Sequence, residues 1–387
     1  MDLALPNLDR SFTPYRLVGT PMPRARYVAG DFPRVAYAAA HVVADPLALN
    51  DPSGPPAIDW DATLKLRHRL WDLGLGVAEA MDTAQRGMGL GWPEAQELIA
   101  RSLAEARQRP GALIASGAGT DHLPPGPAAS LEAIVHAYEN QIETIEALGG
   151  RIILMASRAL AATARSPDDY REVYGRILAQ TRQPVILHWL GEMFDQALAG
   201  YWGHADHDAA MAVCLEVIAA NAHKVDGVKI SLLSKEREIA MRRRLPAGVR
   251  MYTGDDYNYP ELIAGDAEGY SDALLGIFDG IAPVAAPALA ALAAGRPDTY
   301  FELMDPTVPL SRHIFAAPTR FYKTGLVFLA YLNGEQSHFT MVGGQESARS
   351  LQHLVELFRL ADRARVLADP DLAMARMRHV LALHGIG

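Results

Sequence analysis

Short apolar runs alternate with longer amphipathic stretches along most of this chain. Stretches such as DATLKLRHRLWDLG and SLEAIVHAYENQIETIEALG repeat their apolar residues with a helical period, which predicts α-helices that each bury one face. The runs between them are apolar or β-branched and short, which is typical of buried strands. There are eight such runs, at 34–43, 76–81, 111–116, 151–156, 184–189, 227–233, 249–254 and, more weakly, 269–277.

This alternation of strands and helices predicts an α/β protein with a parallel sheet. Eight strands suggest a closed (β/α)8 TIM barrel, and residues 35–300 have about the usual size of one. An open doubly wound sheet is the alternative, but no Gly-x-Gly-x-x-Gly follows the first strand. We therefore predict an N-terminal extension at 1–32, the barrel at 33–300, and additional C-terminal helices at 301–387 packed on its outside.

Composition and charge limit the classes of function. The chain has 387 residues, half of them hydrophobic, and a net charge of −9, which argues against broad binding to nucleic acid or to anionic membranes. Its one cysteine, Cys214, cannot form an intrachain disulfide. The first residues lack the pattern of a signal peptide, and no run is apolar enough to span a bilayer. We expect a soluble cytoplasmic protein.

The run GVKISLL at 227–233 places a lysine, Lys229, between apolar residues. Buried lysines are uncommon because the ammonium group loses its hydration. In a dry barrel interior, desolvation lowers the pKa of a lysine, and the neutral amine can attack a carbonyl carbon to form an electron-withdrawing iminium. The alternative is a lysine that extends to the rim or pairs with a carboxylate.

Three segments in the second half of the chain resemble the dihydrodipicolinate synthase/N-acetylneuraminate lyase superfamily. They are QPVILHWLGEMF, KVDGVKISLL and RMYTGDDYNYPELIAGDAEGY, in the order of that superfamily's fifth, sixth and seventh strands. The similarity spans residues 33–335 and is strongest between 184 and 285. It implies a (β/α)8 barrel with C-terminal helices. It also implies that Lys229 corresponds to the lysine that forms a Schiff base with a 2-oxo acid.

Other motifs of the superfamily are altered in this chain. The tyrosine that relays protons on the fifth strand corresponds to His188, and the arginine usually found five residues later corresponds to Met193. The Gly-Thr-Thr-Gly-Glu loop, which holds the carboxylate of pyruvate, is replaced by DTAQRGMG at 82–89. We therefore expect an atypical branch with a different substrate.

Candidate site residues follow the predicted strands, because (β/α)8 barrels place their chemistry at the carboxyl ends of the strands. His188 could carry protons near neutral pH, or it could be a hydrogen-bonded histidine inside the barrel. Arg86 could clamp a carboxylate or phosphate, or form an ion pair with Asp82 or Glu79. The substrate-binding candidates are Asp82, Gln85, Arg86, Glu192 and Asp256.

Each of these polar candidates has a structural alternative. Asp82, Gln85 and Glu192 could hydrogen-bond sugar-like hydroxyls, but loop capping explains each of them as well. Asp255 and Asp256 are interpreted first as residues that orient their loop.

A possible metal site lies in GHADHD at 203–208. On a helix, His204 would share a face with His207 or Asp208, and such a pair could bind a metal. The segment also fits the start of a helix with acidic first-turn residues, so we predict neither a metal nor another cofactor.

The sequence thus predicts a Schiff-base lyase, aldolase or dehydratase that acts through Lys229 and His188 on an oxo acid or an oxidised sugar derivative. Free pyruvate should be a poor substrate, because its binding loop is replaced. One alternative is a metal-dependent hydrolase or isomerase that uses His188, His204 and His207, and another is a barrel that binds a small ligand without turnover. We expect a small-molecule carbonyl substrate and a homo-oligomer, either a dimer or a tetramer, with no nucleic-acid or membrane partner.

Overall fold

The computed structural model describes residues 2–23, 25–49, 51–81, 85–124, 126–128 and 130–386. An antiparallel hairpin, β1 (Leu3–Pro6) and β2 (Phe12–Tyr15), precedes a closed barrel of eight parallel strands. The barrel strands are β3 (Ala36–Ala39), β4 (Gly76–Glu79), β5 (Ile114–Ala118), β6 (Arg151–Leu154), β7 (Val185–Leu190), β8 (Val225–Ser231), β9 (Arg250–Thr253) and β10 (Asp272–Leu275). Each predicted run overlaps one of them, so the prediction of a (β/α)8 barrel is confirmed.

Helices surround the barrel and connect successive strands. They are α1 (Trp60–Asp72), α2 (Trp92–Arg107), α3 (Leu131–Ala147), α4 (Arg158–Thr163), α5 (Pro167–Gln180), α6 (His207–Ala220), α7 (Lys235–Arg242), α8 (Tyr259–Ala264) and α9 (Phe278–Ala293). Several of them begin at a polar N-cap residue. The side chain of Asp59 caps α1, and that of Ser130 caps α3. Within the described ranges, no helix is both long and apolar enough to cross a membrane.

The amino-terminal mouth of the barrel is closed by packed and paired side chains. Every second residue along a barrel strand faces inward, and these residues form an apolar cluster that includes Tyr37 and Tyr252. Below them, Asp226 accepts hydrogen bonds from Tyr252 Oη at 2.7 Å and from Arg151 Nη2 at 3.1 Å. A site in the barrel interior would therefore open to the opposite, carboxyl-terminal mouth.

Five helices follow the barrel: α10 (Pro297–Met304), α11 (Val308–Ile314), α12 (Tyr322–Leu332), α13 (Leu351–Arg363) and α14 (Pro370–Leu383). The N-terminal residues pack against α13, where the Asp362 carboxylate accepts hydrogen bonds from Tyr15 Oη and from the backbone amides of Val18 and Gly19. The two ends of the chain are thus held together on the outside of the barrel.

Helix α12 does more than add an outer layer, because its first turn lies over the carboxyl-terminal mouth. A Cβ atom at Gly276, directly after β10, would lie 2.8 Å from the ring of Tyr322. The Tyr322 ring stacks on that of Phe315 with 4.3 Å between their centroids, and Phe194 contacts both rings edge-on. The C-terminal region therefore contributes a wall of the mouth.

Candidate active site

Lys229 lies inside the barrel towards the carboxyl end of β8. Strands β7 and β8 pair so that His188 is beside Lys229 and Leu190 is beside Ser231. The Lys229 residue is 7% exposed and His188 is 2% exposed, so both face the interior rather than bulk water. His188 Nε2 lies 3.2 Å from Ser231 Oγ. The two residues predicted to be catalytic are thus brought together, on backbones about 4.8 Å apart.

Gly254, which follows β9, provides space for the Lys229 side chain. A Cβ atom at Gly254 would lie 2.7 Å from Lys229 Cε and 2.5 Å from the carbonyl oxygen of Ile230, and it would also collide with Ser231 Oγ. Real Cβ atoms do not approach other atoms this closely. The glycine of the YTGDDYNY motif therefore fixes where the lysine can lie.

Asp256 is a buried carboxyl group close to this lysine. Its Oδ1 accepts a hydrogen bond from the backbone amide of Ile277 at 2.9 Å. Burial raises the pKa of Asp256 to about 7, although the Ile277 amide and the ammonium groups of Lys229 and Lys323 oppose the shift. A carboxyl group that titrates near neutral pH at a barrel mouth is a candidate acid or base.

The neighbouring Asp255 has a different environment. Its carboxylate accepts hydrogen bonds from the backbone amides of Tyr257 and Asn258 and from the Asn258 side chain, at 2.8 to 3.1 Å. Asp255 thus orients the loop after β9, whereas the side chain of Asp256 remains close to the lysine.

A second buried lysine, Lys323, reaches the mouth from α12 and was not among the sequence-based candidates. Its Nζ donates to the carbonyl oxygen of Ala39, at the end of β3, and to Asp279 Oδ2 at 3.1 Å. The same carboxylate oxygen lies 2.8 Å from His41 Nδ1. Burial lowers the pKa of Lys323, and the Asp279 carboxylate opposes this shift. The cluster fixes the start of α12 to β3 and α9.

Arg86 is buried, and its guanidinium is fully hydrogen-bonded. It forms a bidentate ion pair with Asp121 at 2.9 and 2.8 Å. Its other N–H groups donate to three oxygen acceptors, those of Ala80, Gly117 and the Gln141 side chain. Burial raises the pKa of Asp121, but Arg86 and the hydrogen bonds from the Gln141 side chain and the backbone together hold that pKa below its usual value. Substrate binding by Arg86 would require an exchange of partners.

The ion pair of Arg86 differs from the pairs that the sequence suggested. Glu79 pairs instead with Arg67, with 2.7 Å between Oε1 and Nη2. The other suggested partner, Asp82, lies outside the described residues.

Gln85 links the replaced loop to the end of the first barrel strand. It is buried, with a φ of 70°, and its Oε1 accepts a hydrogen bond from the Val42 amide at 2.6 Å. Its Nε2 has no partner among the residues that the structure describes. At Gly89, a Cβ atom would lie 2.9 Å from the backbone of Val342 and Gly343. Gln85 therefore contacts the segment that follows β3, and Gly89 contacts the C-terminal region.

Glu192 lies after β7 and is hydrogen-bonded to His207, with 3.2 Å between Oε2 and Nε2. Helix α6 begins at His207 and is capped by Asp206, so His204 precedes the helix and does not share its face. No group of three or more His, Cys, Asp or Glu side chains suited to a metal ion occurs in the described part of the chain. Among the described residues, His188, His204 and His207 of the hydrolase alternative therefore do not form a metal-binding group.

A cleft of about 760 Å³ opens over the carboxyl ends of β5, β6 and β7. Met155 and Leu190 lie at its base, and its walls include Arg86, Arg158, Phe194 and Arg320. Lys229 and His188 do not line it. They lie deeper in the barrel, because Leu190 is two residues, about 7 Å, beyond His188 on the same face of β7. Met155 is a flexible side chain between the cleft and the barrel interior.

The whole fold is similar to that of solved dihydrodipicolinate synthases. The enzyme from Bacillus anthracis is 17% identical, with a TM-score of 0.60 over 85% of this chain and 98% of that chain. The 4-hydroxy-tetrahydrodipicolinate synthase from Methylacidiphilum fumariolicum is 15% identical, with a TM-score of 0.61 over 90% and 99%. The enzyme from Aquifex aeolicus is 12% identical, with a TM-score of 0.59 over 91% and 98%.

The predicted resemblance is thereby confirmed at the level of the fold, which is all that identities this low establish. No curated protein sequence matches the chain. A family model described as a protein of unknown function, DUF993, matches residues 3–386, and the chain belongs to that family.

Proposed function

We propose that this protein is a Schiff-base-forming lyase, aldolase or dehydratase that acts on an oxo acid or an oxidised sugar derivative. The observation that carries the proposal is the position of Lys229, buried at the inner face of β8 with His188 beside it on β7. The barrel's similarity in fold to dihydrodipicolinate synthases supports the proposal.

In the proposed reaction, the neutral amine of Lys229 attacks the substrate carbonyl carbon and forms a carbinolamine. Loss of water gives an iminium, whose positive charge withdraws the electron pair of an adjacent C–C bond. For aldol cleavage, a base removes the proton of the β-hydroxyl group, the C–C bond breaks, and an aldehyde leaves. Protonation of the resulting enamine and hydrolysis of the iminium then release the second product and the free lysine.

His188 is the proposed proton carrier for these steps, because it is the neighbour of Lys229 across the β7–β8 ladder. Ser231 Oγ is within hydrogen-bonding distance of its Nε2 and can hold the ring in one orientation. Asp256, with its pKa raised to about 7 by burial, is the second group able to exchange a proton close to the lysine.

The proposed substrate is larger than pyruvate. The threonine pair that would bind the pyruvate carboxylate is replaced, and in this loop the Arg86 guanidinium is already occupied by Asp121. The buried Nε2 of Gln85 is a hydrogen-bond donor without a partner among the described residues, and it could bind a substrate oxygen.

Borohydride trapping tests the proposal. Borohydride delivers hydride to the iminium carbon and converts the adduct into a stable secondary amine, which peptide mass spectrometry locates. We expect an adduct on Lys229 with a panel of 2-oxo acids and keto sugar acids, and none in Lys229→Arg, because guanidinium does not deprotonate. Lys235→Arg is the matched control, since Lys235 lies at the surface and pairs with Glu261.

Two outcomes would contradict the proposal. An adduct mapped to the other buried lysine, Lys323, would move the chemistry to α12. The absence of any adduct, together with a ligand that raises the melting temperature but is never consumed, would favour a barrel that binds without turnover.

A further inference from the structure

We infer that the cleft above the barrel recognises a second anionic group, carboxylate or phosphate, at the far end of the substrate, through Arg158 and Arg320. This inference deepens the proposed function and rests on it. The substrate class would be an oxo acid whose carbonyl carbon reaches Lys229 and whose distal anion stays in the cleft.

Arg158, the first residue of α4, is oriented by one acidic partner and keeps donors for a ligand. Its Nε forms an ion pair with Asp195. Its Nη1 and Nη2 lie beside Gly87, 3.6 and 3.9 Å from the position that a Cβ atom would occupy there. Neither terminal nitrogen has a hydrogen-bond partner in the described ranges. The ion pair thus holds the guanidinium in place, while its two terminal groups can bind an anion.

Arg320 carries the uncompensated positive charge of the cleft. It lies in the turn before α12, with its guanidinium carbon 4.6 Å from the ring centroid of Phe321, and among the described residues it forms no ion pair. The two acids on the cleft wall, Asp121 and Asp195, already pair with Arg86 and Arg158. A charge without a counter-ion in a concave site attracts anions.

The base of the cleft lies between the Arg320 guanidinium and the proposed nucleophile, Lys229. Met155 and Leu190 are apolar, and Leu190 lies about 7 Å further along β7 than His188. A molecule that spans this distance needs an apolar or hydroxylated chain between its carbonyl and its distal anion. Pyruvate has no such chain, which agrees with the loss of its binding loop.

The test compares trapping of two isosteric acids that differ only in the distal charge. 2-Oxooctanedioate carries a distal carboxylate six bonds from its oxo carbon, long enough to span this distance, and 8-methyl-2-oxononanoate replaces that carboxylate with an uncharged isopropyl group. At subsaturating concentration, we expect borohydride trapping of 2-oxooctanedioate to be faster by on the order of tenfold, the usual effect of a charge-assisted contact. 2-Oxo-7-phosphonoheptanoate serves as a third compound, and the faster of the two compounds with a distal anion identifies the preferred anion.

Arginine variants assign the effect to the cleft. Arg158→Gln and Arg320→Gln should each slow trapping of the compounds with a distal anion by on the order of tenfold and leave trapping of the isopropyl isostere unchanged. Arg182→Gln is the control for net charge, because Arg182 pairs with Glu146 away from the cleft. Equal trapping of both acids, or no response to either cleft variant, would overturn the inference while leaving the Schiff-base proposal in place.

A separate measurement covers the case in which no compound is trapped at all. Glutarate and its neutral isostere glutaramide have no oxo group and cannot form an imine, so calorimetry of their binding tests only the anion site. Stronger binding of glutarate that is lost in Arg320→Gln would support the anion site without the lysine chemistry. Equal binding of the two compounds would refute the site.

Discussion

Gly254→Ala tests whether the position of Lys229 depends on the space that this glycine leaves. The new Cβ atom would lie 2.7 Å from Lys229 Cε and 2.5 Å from the carbonyl oxygen of Ile230, and it would meet Ser231 Oγ. The lysine can rotate, but the Ile230 carbonyl belongs to β8 and also accepts the Gly254 amide at 3.0 Å. Backbone and side chain must therefore both shift.

The expected cost follows from overpacking. Inserting a methyl group into a closely packed interior costs about 1–3 kcal/mol, so the free energy of unfolding should fall by that amount. Because the methyl group displaces the nucleophile itself, the rate of borohydride trapping should fall by on the order of tenfold or more, since small displacements at a reacting centre are costly.

Urea unfolding and the trapping rate are measured on the same preparation. Gly175→Ala is the matched control, because Gly175 lies within α5 and its Cβ atom would have no other atom within 4 Å. That variant should gain about 0.5–1 kcal/mol from helix propensity and trap normally. If Gly254→Ala has wild-type stability and wild-type trapping, the Lys229 side chain does not lie against Gly254 and the reasoning fails.

Three further predictions concern buried charged and titratable groups. His188→Phe should still form the Lys229 adduct but lose about 10²–10⁴ in turnover, measured by steady-state kinetics; normal turnover would exclude His188 as the proton carrier. Asp256 has a folded-state pKa raised to about 7, above its unfolded value, so its contribution to stability is present at low pH and is lost as the pH rises towards 7. Asp256→Asn should flatten this decline in urea titrations between pH 4 and 7, and an unchanged slope would contradict the assignment. Lys323→Met should lower the free energy of unfolding by about 3–5 kcal/mol, because Asp279 would lose a buried partner. Lys323→Met combined with Asp279→Asn should recover part of this loss. If the effects of the two substitutions simply add, Lys323 and Asp279 do not interact as an ion pair.

The barrel could be predicted because strands buried on both faces form continuous apolar runs between amphipathic helices. The predicted strand boundaries are less accurate where a strand contains glycine. The apolar pattern predicts the third strand at 111–116, whereas β5 extends from Ile114 to Ala118. Gly117 is part of this strand. A glycine is needed at this position because a Cβ atom would lie 2.7 Å from the Ala80 carbonyl oxygen.

Part of the site could be predicted for a similar reason. In a parallel barrel, residues at equivalent positions of adjacent strands are neighbours, so the sequence places His188 beside Lys229. The partner of Arg86 could not be inferred in this way. Asp121 is 35 residues away, in the loop after β5, and contacts between loops follow no period.

Lys323 was missed, although the chain contains a signal for it. Among the residues of α12, YKTGLVFLAYL, Lys323 is the single charged side chain, and Asp279 is the single charged side chain of α9, FDGIAPVAAPALAALA. A helix with so few polar residues is buried on most of its faces, and a charge buried within it needs a partner of opposite sign. Two apolar helices that each carry one opposite charge should therefore meet at those residues, as the 3.1 Å contact between Lys323 Nζ and Asp279 Oδ2 shows. The same argument applies to GVKISLL, where the apolar neighbours of Lys229 indicate burial and Asp256 is a carboxyl group close to it. A lysine in an apolar segment thus indicates burial, and the neighbouring elements decide whether it serves structure or catalysis.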